Sequence, residues 1–171
     1  LPLVLGITEE TLSRRAVPYL KAESARVERW QAWRAAHSPT GLLIGLAWQG
    51  NPKARADVGR SLALSQLRLL SNLPGVTFVA LQKGEALAQV DSERREGFSV
   101  LTPDAPFDDG PDAFADAAAL MSVCDLVLTT DTSIAHLAGA LSRPTWVMLK
   151  NVPDWRWLRE RADSPWYPGM R

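Results

Sequence analysis

A run of small hydroxyl residues with one aspartate and one histidine is the strongest chemical signal in the sequence. It reads TTDTSIAH at residues 129–136. Apolar residues before it predict a buried strand, and those after it predict a helix. Ligands of open α/β sheets bind where a strand ends and a helix begins, because the helix start offers free N–H groups and the positive end of its dipole. Asp131, Thr132 and Ser133 are therefore candidates for an anion site.

His136 lies four residues after Thr132 and so on the same side of the predicted helix. Helical side chains lean toward the N-terminus, which lets His136 point back at a bound anion. In the alternative interpretation, Asp131 or Thr132 only caps the helix and His136 is an ordinary polar residue. The segment by itself leaves both open.

A second candidate loop follows the first predicted strand and reads WQGNP at residues 48–52, with Lys53, Arg55 and Arg60 after it. Gly50 and Asn51 are the small and polar residues expected beside a phosphate or a transferred group. Arg60 or Lys53 can pair with a diphosphate, and arginine is the better bidentate donor. Neither G-x-G-x-x-G nor G-x-x-x-x-G-K-[ST] is present, which argues against hydride transfer and P-loop hydrolysis.

The third candidate, LQKGE at residues 81–85, ends the second predicted strand. Gln82 or Glu85 can take ribose hydroxyls or a base edge, as acidic residues after early strands do in nucleotide-binding folds. Alternatively, Glu85 only stabilises the first turn of the next helix.

Alternating apolar runs and amphipathic stretches position these loops and predict an α/β fold, a doubly wound parallel sheet. The predicted strands are 42–48, 76–82, 98–101, 125–130 and 145–149. Helices are predicted between them, including one whose buried stripe contains Leu64, Leu67 and Leu70 and one over 113–123. Residues 102–112 are rich in proline and aspartate and predict an irregular loop.

The first forty residues predict a connector, residues 1–40, before a nucleotide-binding domain over 41–171. A mixed-charge helix over 22–37 carries Trp30 and Trp33 three residues apart, which favours packing over sugar stacking. Packing is also favoured for the aromatic segment 154–171, against a docking surface or a wall for the ligand.

The composition narrows the class of function. Nineteen basic residues balance nineteen acidic ones, so no long-range field attracts nucleic acid or membrane, and phosphate recognition must be local. The single cysteine, Cys124, excludes cysteine-based metal sites and predicts a buried structural thiol. No signal peptide or membrane span is evident, which favours a cytoplasmic setting, and the start at Leu1 suggests a piece of a larger protein.

Several segments together resemble glycosyltransferase family nine, the heptosyltransferase-like family, and in particular its members fused behind tetratricopeptide (TPR) repeats. The resemblance covers residues 42–171. Its segments are GLAWQGNP at 45–52, RSL at 60–62, FVALQKG at 78–84, DTSIAHLAGAL at 131–141 and PDWRW at 153–157.

The resemblance implies the GT-B fold, with two Rossmann-like lobes, of which this chain is the C-terminal, nucleotide-sugar-binding lobe. It implies that Asp131, Thr132 and Ser133 contact the diphosphate and sugar of the donor, with His136 behind them. By the same resemblance Arg60 is a phosphate-binding residue and Glu85 faces the ribose.

Members of the family generally invert the anomeric centre without a metal or other cofactor. The base that deprotonates the acceptor hydroxyl comes from their N-terminal lobe. The resemblance thus implies a nucleotide-sugar donor and, as partners, the N-terminal lobe and, for the TPR-fused members, the TPR repeats. No catalytic residue is assignable here, and the fragment alone is expected to be inactive. Asp131 would contact a sugar hydroxyl or hold the turn and would not transfer a proton, because a carboxylate placed directly beside a diphosphate repels the diphosphate.

Two other classes remain open. The chain can be a binding or scaffold domain that kept the fold without the activity, or a GT-B-type epimerase acting on a nucleotide-linked sugar. A dehydrogenase is disfavoured by the missing glycine fingerprint.

Overall fold

The computed structural model describes residues 3–13, 18–103 and 106–171 and contains one four-stranded parallel sheet. Its strands are β1 (Leu42–Ala47), β2 (Val76–Ala80), β3 (Leu126–Thr130) and β4 (Thr145–Met148), in the order β2-β1-β3-β4. The registers pair Leu46 with Ala80 on one side and with Leu128 on the other. The predicted α/β class and four of the five predicted strands are confirmed, with ends that differ by one or two residues.

Five α-helices and four short 3₁₀ helices surround the sheet in the described part of the chain. The α-helices are α1 (Glu9–Ser13), α2 (Ser24–His37), α3 (Ala88–Arg95), α4 (Ala115–Val123) and α5 (Ser133–Ala140). The 3₁₀ helices span Arg55–Asp57, Leu64–Asn72, Gly84–Leu87 and Trp155–Trp157. The predicted leucine stripe thus lies on a helix, but on a 3₁₀ helix rather than an α-helix.

Apolar layers cover both faces of the sheet. In β1, Leu43 faces a layer built with α2 and α4, while Leu46 faces a layer that contains Leu64 and Phe98. Both leucines are fully buried, as strands covered on two faces require. The covered sheet therefore presents its loops, rather than its faces, to ligands.

Helix α2 packs its two tryptophans into the first of these layers. Trp30 is 3% exposed and Trp33 9% exposed, and their rings meet edge to face at 5.7 Å. The packing interpretation of this pair is confirmed. The division of the chain at residue 40 stays a prediction, although α2 shares its apolar layer with α4 and β1.

The predicted strand at 98–101 is wrong. Only Leu101 pairs with the sheet, through a single bridge to Val79. Phe98 and Val100 are fully buried, which explains the apolar signal. Pro103 follows closely and has no N–H to extend a ladder of hydrogen bonds, so the pairing stops at one residue.

Cys124 is buried immediately before β3, as predicted. Burial raises the pKa of its thiol to about 12, despite the nearby guanidinium groups of Arg143 and Arg34. The thiol is therefore unreactive at neutral pH.

None of the helices in the described ranges has both the length and the apolar character needed to cross a membrane.

Candidate functional site

A cavity of about 420 Å³ lies at the carboxyl edge of the sheet, where the loops after β1, β2 and β3 meet. The chain runs from β1 to β2 on one side and returns to place β3 on the other side of β1. This reversal is the point at which open α/β sheets bind their ligands. The lining includes six of the nine predicted site residues: Gly50, Asn51, Arg60, Gln82, Thr132 and Ser133.

The start of α5 forms one wall of the cavity. Thr132 occupies the N-cap position, yet its hydroxyl makes no capping hydrogen bond. The Thr132 Oγ1 atom is buried and has no hydrogen-bond partner within the described ranges, while Ser133 is exposed. The first N–H groups of a helix also have no acceptor inside it. The first amides of α5 are therefore donors that the helix itself does not use, whereas the Thr132 hydroxyl is enclosed and must turn toward the cavity to reach a ligand.

Arg60 forms a second wall, and its guanidinium is held in place. Its Nε and Nη2 atoms donate to Asp57 Oδ1 at 3.1 and 2.8 Å, and its Nη1 donates to the main-chain oxygen of Asp131 at 3.0 Å. Three of its five N–H groups are thus engaged, which leaves two for a ligand. The Arg60 guanidinium is therefore already oriented before a ligand binds.

Asp57, which sequence reasoning missed, organises the loop after β1. It is 8% exposed, and its second oxygen accepts from Ser61 Oγ at 2.7 Å. Ser61 Oγ in turn accepts from the Gly50 amide at 2.8 Å. The three-residue spacing from Asp57 to Arg60 was the available signal for this ion pair.

Gly50 is required by close packing. A Cβ atom there would contact the Arg60 guanidinium and lie 2.6 Å from Asp57 Oδ1. Any larger side chain would displace the ion pair that positions Arg60.

Gln82 lines the cavity, but its amide is fully used. Its Oε1 accepts from the amides of Trp48 and Gln49 at 3.1 and 3.0 Å, and its Nε2 donates to the oxygens of Gln49 and Lys83. Gln82 thus ties the ends of β1 and β2 together. Its amide has no remaining donor for the ribose contact suggested from the sequence.

Three of the predicted site residues do not line the cavity. Glu85 is exposed in the first turn of the short helix Gly84–Leu87. Asp131 and His136 lie beside the start of α5, where His136 Nε2 is 3.8 Å from Asp131 Oδ1. Asp131 and His136 therefore lie next to the cavity and are not part of its lining.

His136 is held on two sides by the C-terminal segment. Its ring stacks on Trp157 with centroids 5.5 Å apart, and its Nδ1 is 3.2 Å from the Tyr167 hydroxyl. Tyr167 fits here because Gly139 has no side chain, since a Cβ atom would contact its ring. Burial lowers the pKa of His136, although Asp131 opposes this, so the ring is neutral at pH 7.

A third wall, which the sequence did not reveal, comes from the loop before α4 together with Lys83, which follows β2. Lys83, Asp108 and Phe114 line the cavity, and the Lys83 ammonium donates to the Asp108 carbonyl. Phe114 is 45% exposed, so part of its ring is open to a ligand. Asp108 and Phe114 have φ of 51° and 70°, in a region that side-chain-bearing residues rarely adopt. Local sequence preferences do not predict that conformation.

The charges of the lining favour an anion. Arg60 and Lys83 are the cations of the lining, each with a carboxylate partner outside it, Asp57 and Asp109. The Asp108 carboxylate is turned away to the amides of Asp116 and Ala117. In the described part of the chain, no group of three or more His, Cys, Asp or Glu side chains could hold a metal ion. The cavity can therefore bind an anionic ligand through Arg60 and the start of α5.

The fold defines a Rossmann-like α/β domain, and the cavity lies at the switch point of its sheet, where domains of this class bind ligands. Comparison with known proteins names the relationship. Residues 110–148 match the family described as glycosyltransferase family 9 (heptosyltransferase). Protein FlbA of Caulobacter vibrioides is 31% identical over 169 residues, which cover 96% of this chain and 27% of FlbA.

Among solved structures, E. coli ADP-heptose LPS heptosyltransferase II matches with a TM-score of 0.57 and 19% identity, over 90% of this chain and 44% of that one. The predicted resemblance to glycosyltransferase family nine is thereby confirmed, as is the Rossmann-like fold of a GT-B lobe. The chain spans less than half of each of these two relatives.

Proposed function

We propose that this chain is the donor-binding lobe of a glycosyltransferase that moves a sugar from a nucleotide-sugar to an acceptor hydroxyl. The observation that carries the proposal is the meeting of Arg60 with the start of α5 across one cavity at the carboxyl edge of the sheet. The relationship to family nine supports the same class of reaction.

The diphosphate of the donor would bind between Arg60 and the start of α5. Two N–H groups of Arg60 remain available, and charge-assisted bonds from arginine to phosphate are among the stronger hydrogen bonds in proteins. The unpartnered Thr132 hydroxyl and the first amides of α5 would complete the cradle. These groups would also stabilise the charge that develops on the leaving diphosphate.

The nucleoside would lie against the wall formed by Lys83, Asp108 and Phe114. Phe114 offers an exposed ring on which a base can stack, and about 420 Å³ is within the usual range for small-molecule sites. Glu85 lies on the same side of the sheet edge, after β2, and would reach the ribose only from outside the cavity lining.

The reaction is proposed to invert the anomeric centre without a metal. Asp131 would orient the turn or a sugar hydroxyl, since its carbonyl holds Arg60 and its carboxylate faces His136. The catalytic base that deprotonates the acceptor hydroxyl is proposed to lie in a separate N-terminal lobe. The 44% coverage of heptosyltransferase II supports that division, and we expect the chain alone to bind the donor without transferring sugar.

Calorimetric titration of the chain with ADP, UDP and GDP tests the proposal. One of the three should bind saturably, and Arg60→Ala should weaken it about tenfold or more, because a charge-assisted hydrogen bond is lost. Arg55→Ala is the matched control, since Arg55 is exposed on the same loop and does not line the cavity.

Two results would redirect the interpretation. If neither the chain nor a longer protein that contains it binds a nucleotide, the proposal fails and a scaffold domain is favoured. If the longer protein converts a nucleotide-sugar into its epimer when no acceptor is present, the chain serves an epimerase instead.

A further inference from the structure

Helix α2 contacts the loop before α4 and the first turn of α4 at three places. Trp30 packs edge to face on Phe107, with ring centroids 5.7 Å apart. Arg26 pairs with Asp112 at 3.0 Å and with Asp116 at 3.2 Å. Arg29 pairs with the other oxygen of Asp116. All of these contacts link residues more than seventy positions apart, so they join separate parts of the fold.

Asp116 transmits these contacts to Asp108. The Asp108 carboxylate accepts from the Asp116 amide at 2.7 Å and from the Ala117 amide at 3.3 Å, while the Asp108 amide donates back to Asp116 Oδ2 at 3.3 Å. Asp116 is 5% exposed and Asp108 8% exposed. The two aspartates therefore fix each other reciprocally at the start of α4.

The fixed segment is the same one that lines the cavity. The carbonyl of Asp108 accepts from Lys83, and Asp108 and Phe114 both hold a positive φ. A backbone in this region costs about 1–3 kcal/mol per residue and persists only where surrounding contacts determine it. The contacts that hold this segment include the bond from Lys83 to Asp108 and those from α2, which reach Asp108 through Asp116.

We propose that Asp116 is a positioning residue through which Arg26 and Arg29 of α2 set the wall of the cavity formed by Asp108 and Phe114. Helix α2 is then part of the ligand site although none of its residues lines the cavity. The consequence for nucleotide affinity rests on the proposed function, whereas the effect on the wall itself does not.

Asp116→Asn tests the proposal with little change of shape. An amide has one acceptor oxygen, so its NH₂ group must face either a guanidinium or the Asp108 amide, and one side of the network is lost. Hydrogen exchange at residues 106–117 should become faster. Affinity for the nucleotide that the wild-type chain binds should fall about threefold to tenfold.

Glu93→Gln is the matched control. Glu93 is 6% exposed and pairs with Arg68 through both oxygens, at 2.8 and 3.1 Å, but on the other apolar layer and away from the cavity. This variant should lose stability as Asp116→Asn does, with exchange at 106–117 and nucleotide affinity unchanged. A milder pair, Arg29→Ala and Arg29→Lys, keeps the test valid if Asp116→Asn folds poorly, since lysine should restore part of the exchange protection.

Unchanged exchange at 106–117 in Asp116→Asn overturns the proposal, and so does an equal change in Glu93→Gln. Unchanged affinity in Asp116→Asn overturns the link to binding. If the wild-type chain binds none of the three nucleotides, the proposed function fails, and the exchange measurement still decides whether α2 positions the wall.

Discussion

Arg60 donates to the main-chain oxygen of Asp131 at 3.0 Å, and this bond joins the loop after β1 to the turn after β3. The two residues are 71 positions apart in the chain, and both Arg60 and Thr132, which follows Asp131, line the cavity. The cation and the helix start are thus held at a fixed separation before any ligand arrives, and such preorganisation favours both binding and charge stabilisation.

Thr132→Val should weaken nucleotide binding without destabilising the fold. The hydroxyl of Thr132 has no partner among the described residues, so valine of the same shape removes an unsatisfied buried group. We expect a free energy of unfolding that is unchanged or higher by up to about 1 kcal/mol, and about threefold to tenfold weaker binding. Denaturant unfolding and calorimetry measure the two effects separately.

Thr130→Val provides the comparison for that variant. Thr130 is fully buried in β3, its Oγ1 is also unpartnered within the described residues, and it does not line the cavity. It should gain stability in the same way and bind nucleotide as the wild-type chain does. Equal loss of affinity in both variants would show that the Thr132 hydroxyl does not contact the ligand.

Gly50→Ala should disrupt the site by steric conflict. The added Cβ would contact the Arg60 guanidinium and come within 2.6 Å of the Asp57 carboxylate, so the ion pair must shift. Overpacking of this kind costs about 1–3 kcal/mol, and nucleotide binding should weaken together with it. Thermal unfolding and calorimetry report both effects.

Gly169→Ala controls for the change of glycine to alanine itself. A Cβ at Gly169 meets its nearest neighbour, the Arg143 carbonyl oxygen, at an ordinary 3.4 Å. That variant should leave nucleotide binding as it is. If Gly50→Ala also binds normally, the loop after β1 is not the rigid support for Arg60 that the structure describes.

The βα alternation and the turn at 129–136 were predictable, because buried parallel strands and helix starts leave local patterns in the sequence. Six predicted residues meet in the cavity since parallel strands bring their carboxyl ends to one edge. The support for Arg60 was predictable only in part, because the three-residue spacing from Asp57 to Arg60 allows an ion pair but an aspartate in a basic loop otherwise looks like any solvated charge. The wall formed by Asp108 and Phe114 was not predictable either. Its conformation depends on contacts from α2, which is distant in the chain.

Acid should weaken the fold through Asp116 and Glu93. Burial by itself raises the pKa of Asp116, but the Asp108 amide and the guanidinium groups of Arg26 and Arg29 outweigh it and lower the pKa below the usual 3.8. The hydrogen bond from Arg68 lowers the pKa of Glu93 below the usual 4.5. Both ion pairs therefore contribute fully at pH values above these usual ones, and their contribution is lost as the pH falls through the lowered values.

Urea unfolding between about pH 6 and about pH 3 measures this loss. The midpoint for the wild-type chain should fall across that range, and the fall should be smaller in Asp116→Asn and in Glu93→Gln. If both variants follow the wild-type curve in parallel, the two carboxylates are not responsible for the acid sensitivity.

The two histidines of the chain should carry their ring protons on opposite nitrogens. His37 Nδ1 lies 2.9 Å from the Trp33 carbonyl oxygen, which can only accept, so the proton is on Nδ1. At His136 the Asp131 carboxylate, 3.8 Å from Nε2, favours a proton there, and the Tyr167 hydroxyl then donates to Nδ1 at 3.2 Å. Nitrogen-15 NMR at pH 7 distinguishes the two tautomers.

Tyr167→Phe tests the arrangement at His136. Removal of the hydroxyl leaves Nδ1 without its donor, so the fraction of His136 protonated on Nε2 should decrease while the His37 signals stay unchanged. His37 is thus an internal reference within the same spectrum. If His136 already carries its proton on Nδ1 in the wild-type chain, then Tyr167 accepts rather than donates, and Nε2 presents a lone pair instead of an N–H group toward Asp131.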